Sequence, residues 1–210
     1  MASRPPVSNL AARRGYHHGN LREALIEAAR RLIAERGPAG FTLSDAAKLA
    51  GVSPAAPYRH FKDRQSLLRE VAHLGFAALG ERLGTAAAGG GVSGFNAMGR
   101  AYLAFAREEP AYYAAMFNTG MAAEEATSTA EDPGFAMLRK AVGRALGVDD
   151  PETVRTAAIL VFALTHGLAG LSAPGSVARP RDLVDAERML DLGVGAMLRG
   201  LPAAMGGGKR

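Results

Sequence analysis

The sequence has no cysteine and no tryptophan, and aromatic residues make up only 6% of it. Without cysteine there is no disulfide framework, thiolate zinc site, iron–sulfur cluster or cysteine nucleophile, and an intracellular, cytoplasmic protein is the simplest expectation. Strand-length alternation of apolar and polar residues is also missing, so nothing points to a sheet. Residues 1–19 contain arginine and proline but no apolar run of the kind a secretory signal needs. One uncharged stretch, between Arg155 and Arg179, is long enough to cross a bilayer. Thr165, His166, Gly167, Gly170, Ser172 and Pro174 dilute it, so a buried helix and no membrane association are expected.

What is present is a chain of 210 residues, 48% hydrophobic and 21% charged, which has the makeup of a folded protein with one large domain or a small domain joined to a larger one. The net charge of +5 is unevenly placed. Residues 1–84 carry 13 Lys+Arg against 7 Asp+Glu, net +6, while residues 85–210 carry 12 against 13, net −1. That asymmetry suggests a nucleic-acid-binding module attached to a nearly neutral body.

Helical signals run the length of the chain. Asn20, with Glu23 three residues on, reads as a capping box for a helix over 21–36, which Gly37-Pro38 stops. Thr42 with Asp45 opens a second, short helix that ends at Gly51, where a residue without Cβ is easiest. Ser53 is placed to cap a third, with Pro54 in its first turn. Two short helices joined by Gly51-Val52-Ser53 have the form of a helix-turn-helix. Phe61, Val52, Leu49 and Ala46 are expected in the core of this unit. Asp63 caps a longer helix that fades near Gly84, and 86–94, with four glycines, reads as a linker. Beyond it helices are expected over 95–107, from Pro110, over 133–146, 151–171 and 180–199, with a polar loop at 122–132. The expected fold is all-α, with about nine helices.

Gly51-Val-Ser-Pro-Ala-Ala-Pro-Tyr-Arg-His-Phe-Lys-Asp-Arg-Gln-Ser-Leu67, together with Tyr16-His-His-Gly-Asn-Leu21 and Phe41-Thr-Leu-Ser-Asp-Ala-Ala47, resembles the DNA-binding signature of the TetR family of transcriptional regulators. The resemblance covers roughly residues 16–75. It implies a flexible basic arm over 1–15, a DNA-binding domain with its linking helix over 16–84, a helical effector-binding and dimerisation body over 85–204, and a short tail over 205–210. It also implies that Thr42 and Tyr58 bind backbone phosphate.

The residues themselves suit that role. Ser53, Pro54, Ala55 and Ala56 make a small leading turn that can approach base edges or thymine methyls. Tyr58, His60 and Lys62 are placed to donate to phosphates, and Arg59 to reach a base or a phosphate. Arg64 adds charge at the start of the next helix. Tyr58 is alternatively half-buried packing. Arg14, with Tyr16 beside it, belongs either to an arm in the minor groove or to a charged tail. His17-His18 lack a third ligand, so a cap or a solvated pair is expected and no metal. Pro57 departs from the family pattern: it stands where a hydrophobic residue is usual and removes a backbone donor from the helix.

In the body, 104–117 and Leu164-Thr-His-Gly-Leu-Ala-Gly-Leu171 resemble the Trp-His-Gly type of ligand-sensing domain, with Phe162 where that branch often has tryptophan. The resemblance implies a pocket and a homodimer built from the last two long helices. Tyr102, Phe105, Tyr112, Met116, Phe117, Met121, Phe162 and His166 are the candidate lining for a small apolar or amphipathic effector, with plain core as the competing reading. No nucleophile elbow, phosphate-binding glycine loop or metal spacing accompanies His166, so neither catalysis nor a cofactor is expected. The sequence thus points to a repressor on a palindromic double-stranded operator, with an activator or a sequence-indifferent DNA-coating protein as alternatives.

Overall fold

A computed structural model of the protein describes residues 21–117, 133–173 and 185–206, of which 202–206 are described by backbone alone. The described residues are all-helical. They form α1 (Leu21–Arg36), α2 (Leu43–Leu49), a single 3₁₀ turn (Pro57–Arg59), α3 (Arg64–Ala87), α4 (Gly91–Glu108), α5 (Pro110–Phe117), α6 (Pro133–Leu146), α7 (Pro151–Ser172) and α8 (Ala186–Gly206). Asn20, the arm, 122–132 and Pro180 lie outside the described residues.

The head is small and tightly specified. Leu25, Ala29, Leu32 and Ile33 recur on one side of α1 and are buried against Phe41, Ala46, Phe61, Leu67 and Val71. Thr42 caps α2 as expected: its hydroxyl accepts from the Asp45 amide at 3.1 Å, and the Asp45 carboxylate accepts from the Thr42 amide at 2.9 Å. At the other end the Val52 amide bonds the Ala47 carbonyl and the Gly51 amide the Lys48 carbonyl, a closure that puts Gly51 at φ 72° and so favours glycine there. Leu49 departs from expectation and is 46% exposed. At 3.6 residues per turn Leu43, Ala46, Ala47 and Ala50 share one arc of a short helix, and Leu49 falls outside it.

The third helix of the head is not an α-helix. Ser53 makes no capping bond to it; residues 54–56 form a turn and only Pro57–Arg59 is helical, as a 3₁₀ turn capped by the backbone of Ala56. Pro57 explains this. Pro57 has no N–H to return to the Ser53 carbonyl, so that carbonyl takes the Ala56 amide at 3.0 Å, and the His60 amide closes on Pro57 at 2.9 Å, both i to i−3 bonds. Pro57 is nevertheless fully buried, so its ring fills the hydrophobic position.

Asp63 caps α3, accepting from the Ser66 amide at 2.7 Å. The helix then continues past Gly84 to Ala87, and α4 begins at Gly91, so the expected linker shrinks to residues 88–90. In the body α3 lies along α4 and α5, α4 crosses α7, and α7 pairs with α8. The α3–α5 approach is close: a Cβ on Gly75 would stand 2.8 Å from the Met116 sulfur. Asp150 caps α7 through the Thr153 amide at 2.8 Å, and Asp185 caps α8, described from Ala186, through the Arg188 amide at 2.9 Å.

By length and composition α7 passes for a membrane-crossing helix. Its inner face, with Ala157, Ala158, Val161, Thr165, Leu168 and Ala169, is buried in the body. Its outer face leaves Ile159 and Leu160 exposed, and α8, packed against it, leaves Met189 and Leu192 exposed.

Candidate functional site

The head presents one polar surface around the recognition turn. Thr42, Ser53, Pro54, Ala55, Tyr58, Arg59, His60 and Lys62 are all exposed on it, and Ala56 partly so. Tyr58 is 61% exposed, which sets aside the reading as half-buried packing. Its phenol, the Arg59 guanidinium and the Lys62 ammonium are the groups available to an anionic backbone. The Thr42 hydroxyl already donates to the Asp45 carboxylate at 2.7 Å, and that bond holds the Asp45 carboxyl below its usual range. Arg64 is used internally: its guanidinium donates to the Pro38 carbonyl at 2.6 Å and lies over the Phe41 ring at 6.0 Å, bracing the α1–α2 corner. Arg14 and Tyr16 lie outside the described residues.

A cavity of about 1140 Å³ opens inside the body. From α3 it takes His73, Phe76, Gly80 and Leu83; from α4, Phe95, Asn96, Met98 and Tyr102. Phe117 of α5, Phe135 and Leu138 of α6, Val161, Phe162 and Thr165 of α7, and Leu190, Asp191 and Val194 of α8 complete the wall. Three of the eight expected lining residues, Tyr102, Phe117 and Phe162, stand in it.

Of the other five, the four that are described do not. Phe105 and Met116 are fully buried core. Tyr112 faces the head instead, with the Arg30 guanidinium 5.5 Å from its ring centre, and Arg30 also donates to Glu109 at 3.2 Å. Met121 lies outside the described residues. His166 stands one layer behind the wall, bonded to a residue that lines it. The missed contributors are spread over α3, α4, α6, α7 and α8; on α3, Phe76, Gly80 and Leu83 recur at helical spacing but pass as ordinary core in the sequence.

Around His166 the aromatic residues form a closed set. The Tyr102 and Tyr113 hydroxyls lie 2.9 and 3.1 Å from Nδ1, and Tyr113 is also 3.5 Å from the His166 carbonyl. The Phe162 and Tyr113 rings stack on the imidazole at 5.4 and 5.7 Å, and Phe117 meets it edge-on at 4.7 Å. Burial pushes the Tyr113 phenol up to about 12 and raises Tyr102 further. Both therefore stay protonated, and the two hydroxyls share the one Nδ1 position of the imidazole. Burial likewise lowers His166, so the folded protein keeps it neutral.

A pH dependence follows. Above the ordinary histidine value of 6.5 both states are neutral at this position. As pH falls below it the unfolded chain takes up the proton first, so stability declines until the folded pKa is passed. Replacing His166→Gln is expected to remove that part of the decline, measured as the difference in urea midpoint between about pH 7.5 and about pH 5.5. An identical pH slope in both proteins would refute it.

Comparisons with known proteins agree with this geometry. The model for bacterial regulatory proteins of the tetR family matches residues 25–71, and the model for the tetracyclin repressor-like C-terminal domain matches 95–197. The chain is 37% identical over 60 residues to the HTH-type transcriptional regulator AcrR of Shigella flexneri, covering 29% of this chain and 28% of that protein. It is 43% identical over 47 residues to BetI of Rhizobium meliloti (strain 1021), covering 22% and 23%. These matches span about a quarter of the length of the curated relatives. Among solved structures, a Rhodococcus sp. RHA1 protein of unknown function is 29% identical with a TM-score of 0.69, over 89% of this chain and 98% of that one. The regulator PfmR of Thermus thermophilus, at 22% identity and a TM-score of 0.61, covers 84% and 98%. AibR, solved with isovaleryl coenzyme A and operator DNA, is 19% identical with a TM-score of 0.54, over 83% and 96%. The two family models, one on the head and one on the body, together take in most of the sequence: the chain belongs to the TetR family of bacterial regulatory proteins.

Proposed function

We propose that the protein is a cytoplasmic, sequence-specific DNA-binding repressor, without enzymatic activity, that leaves its operator when a small molecule enters the body. The observation that carries this reading is that one helix serves both places. The first turn of α3 completes the head behind the recognition turn, and Phe76, Gly80 and Leu83 of the same helix wall the cavity. A bound molecule that prefers one placement of α3 thereby changes the population of DNA-competent heads. AibR, with an acyl thioester and operator DNA in one complex, supports the pairing of two such sites in this fold.

The working form is a homodimer through the outer faces of α7 and α8, which sets two heads on successive major grooves of a palindromic site. The body is of the Trp-His-Gly type, with His166 at its aromatic centre. Thr42, Tyr58, Arg59, His60 and Lys62 are the DNA contacts, with Arg14 and Tyr16 of the arm.

A mobility shift on promoter DNA nearest the protein's own gene tests the reading. Binding no tighter than to random DNA at physiological salt refutes it, and binding that ignores sequence favours the DNA-coating alternative. Within the same assay Lys62→Ala is expected to weaken binding evenly across sequences and to reduce the salt slope by about two, roughly one per head of the dimer. An unchanged slope removes Lys62 from the phosphate contacts.

A further inference from the structure

The cavity's chemistry is one-sided. Its volume of about 1140 Å³ exceeds the roughly 300–1,000 Å³ of most small-molecule sites. No lysine or arginine appears among its described walls. Asp191 is there, and Arg100 beside it is committed to that carboxylate, 3.3 Å from both oxygens. His73, exposed on α3, is the one described wall residue with a basic side chain.

The two buried hydroxyls of the wall sharpen this further. Thr165 Oγ1 donates its proton to the Val161 carbonyl at 2.8 Å, and the Tyr102 hydroxyl is engaged by His166 Nδ1 at 2.9 Å. The Thr165 proton is used inside the protein, so toward the cavity that hydroxyl offers a lone pair, as the Asp191 carboxylate does. An anion needs a counter-charge to leave water, and the described wall supplies none at depth, Asn96 being its one neutral amide. A hydroxyl, amide or amine N–H finds acceptors there, and the surrounding phenylalanines and leucines take up apolar surface.

We infer that the cavity accepts a large, predominantly apolar molecule that bears a hydrogen-bond donor and no negative charge, and that it rejects anionic ligands such as coenzyme A thioesters. The inference rests on the proposed function only in treating this cavity as the effector site.

Two fluorescent probes that share one ring skeleton separate the charge. N-phenyl-1-naphthylamine is neutral and carries an N–H donor; 1-anilinonaphthalene-8-sulfonate is the same skeleton with a sulfonate. In titrations of the full-length protein the neutral probe is expected to bind at least about tenfold more tightly. Gly80 provides the control on place, since a Cβ there meets nothing within 4 Å and a longer side chain projects into open space. Gly80→Leu is expected to abolish binding of the neutral probe, and leucine suits the helix better than glycine. Ala77→Lys, at an exposed wall position, is expected to narrow the difference by strengthening sulfonate binding.

Equal or tighter binding of the sulfonate overturns the inference, as does neutral-probe binding that survives Gly80→Leu. The mobility shift is scored separately. Operator binding without the probe preference sinks the ligand class and leaves the regulator standing, whereas the preference without operator binding does the reverse.

Discussion

Phe105→Ala is expected to lower folding stability by about 3–5 kcal/mol, the usual cost of deleting a fully buried aromatic ring. Phe105 has no exposed surface, and the Arg82 guanidinium lies 5.5 Å from its ring centre, itself tied to Glu108 at 2.6 Å. The lost ring leaves a void where α4 crosses the junction, and the charged cover has nothing to close on. Urea unfolding followed by circular dichroism gives the loss as a fall in midpoint at unchanged slope. The same measurement separates core from cavity wall. Phe117→Ala, in a half-buried ring that borders empty space, is expected to cost clearly less. Equal losses at the two positions would return Phe105 to the set of lining residues proposed from sequence.

The second large effect is on assembly. Leu192 is 58% exposed on α8, with Met189 one turn earlier at 44%, and α7, the helix packed against it, leaves Ile159 47% exposed. Contiguous apolar surface of this kind marks a contact face, and in a two-fold dimer the patch meets its own copy. A carboxylate at its centre would then face a second carboxylate with no partner. Leu192→Glu is expected to give a monomer by analytical ultracentrifugation with its helical content intact. Operator affinity is expected to fall about a hundredfold or more, because two linked heads become independent ones. A dimer that persists in the variant would place the interface elsewhere.

Local punctuation explains what was legible from residues alone. The Thr42–Asp45 and Asp63–Ser66 capping pairs, the glycine closure at Gly51 and the prolines at 110, 133 and 151 act within one turn of the chain, so the starts of most helices could be read directly. Ser53-Pro54 has the same local form and misled, because the bond that decides the matter is the one Pro57 cannot make three residues later. The glycines of 86–94 misled for a similar reason. Gly94 is helical, and a Cβ there would stand 2.9 Å from the Ala87 carbonyl, so this glycine serves a tight corner and not a loose linker.

The cavity was legible only in part because it is bounded by residues far apart in sequence. Periodicity shows that Phe76, Phe105, Met116 and Val194 face inward, but whether an inward side chain meets another atom or a void depends on helices up to about a hundred residues away. His166 illustrates the limit. Its place among aromatic residues was visible, yet only the structure shows Tyr102 standing between it and the opening.

The length of α3 has a mechanical consequence. Its 24 unbroken residues span about 36 Å at 1.5 Å per residue, so a tilt of roughly 5° about the cavity end sweeps the Asp63 end through about 3 Å. In the proposed dimer, displacements of that size in opposite directions on two heads would alter their separation by a base-pair step or more. A fraction of an ångström at Gly80 or Leu83 is amplified by leverage alone, and the head needs no unfolding to lose its grip.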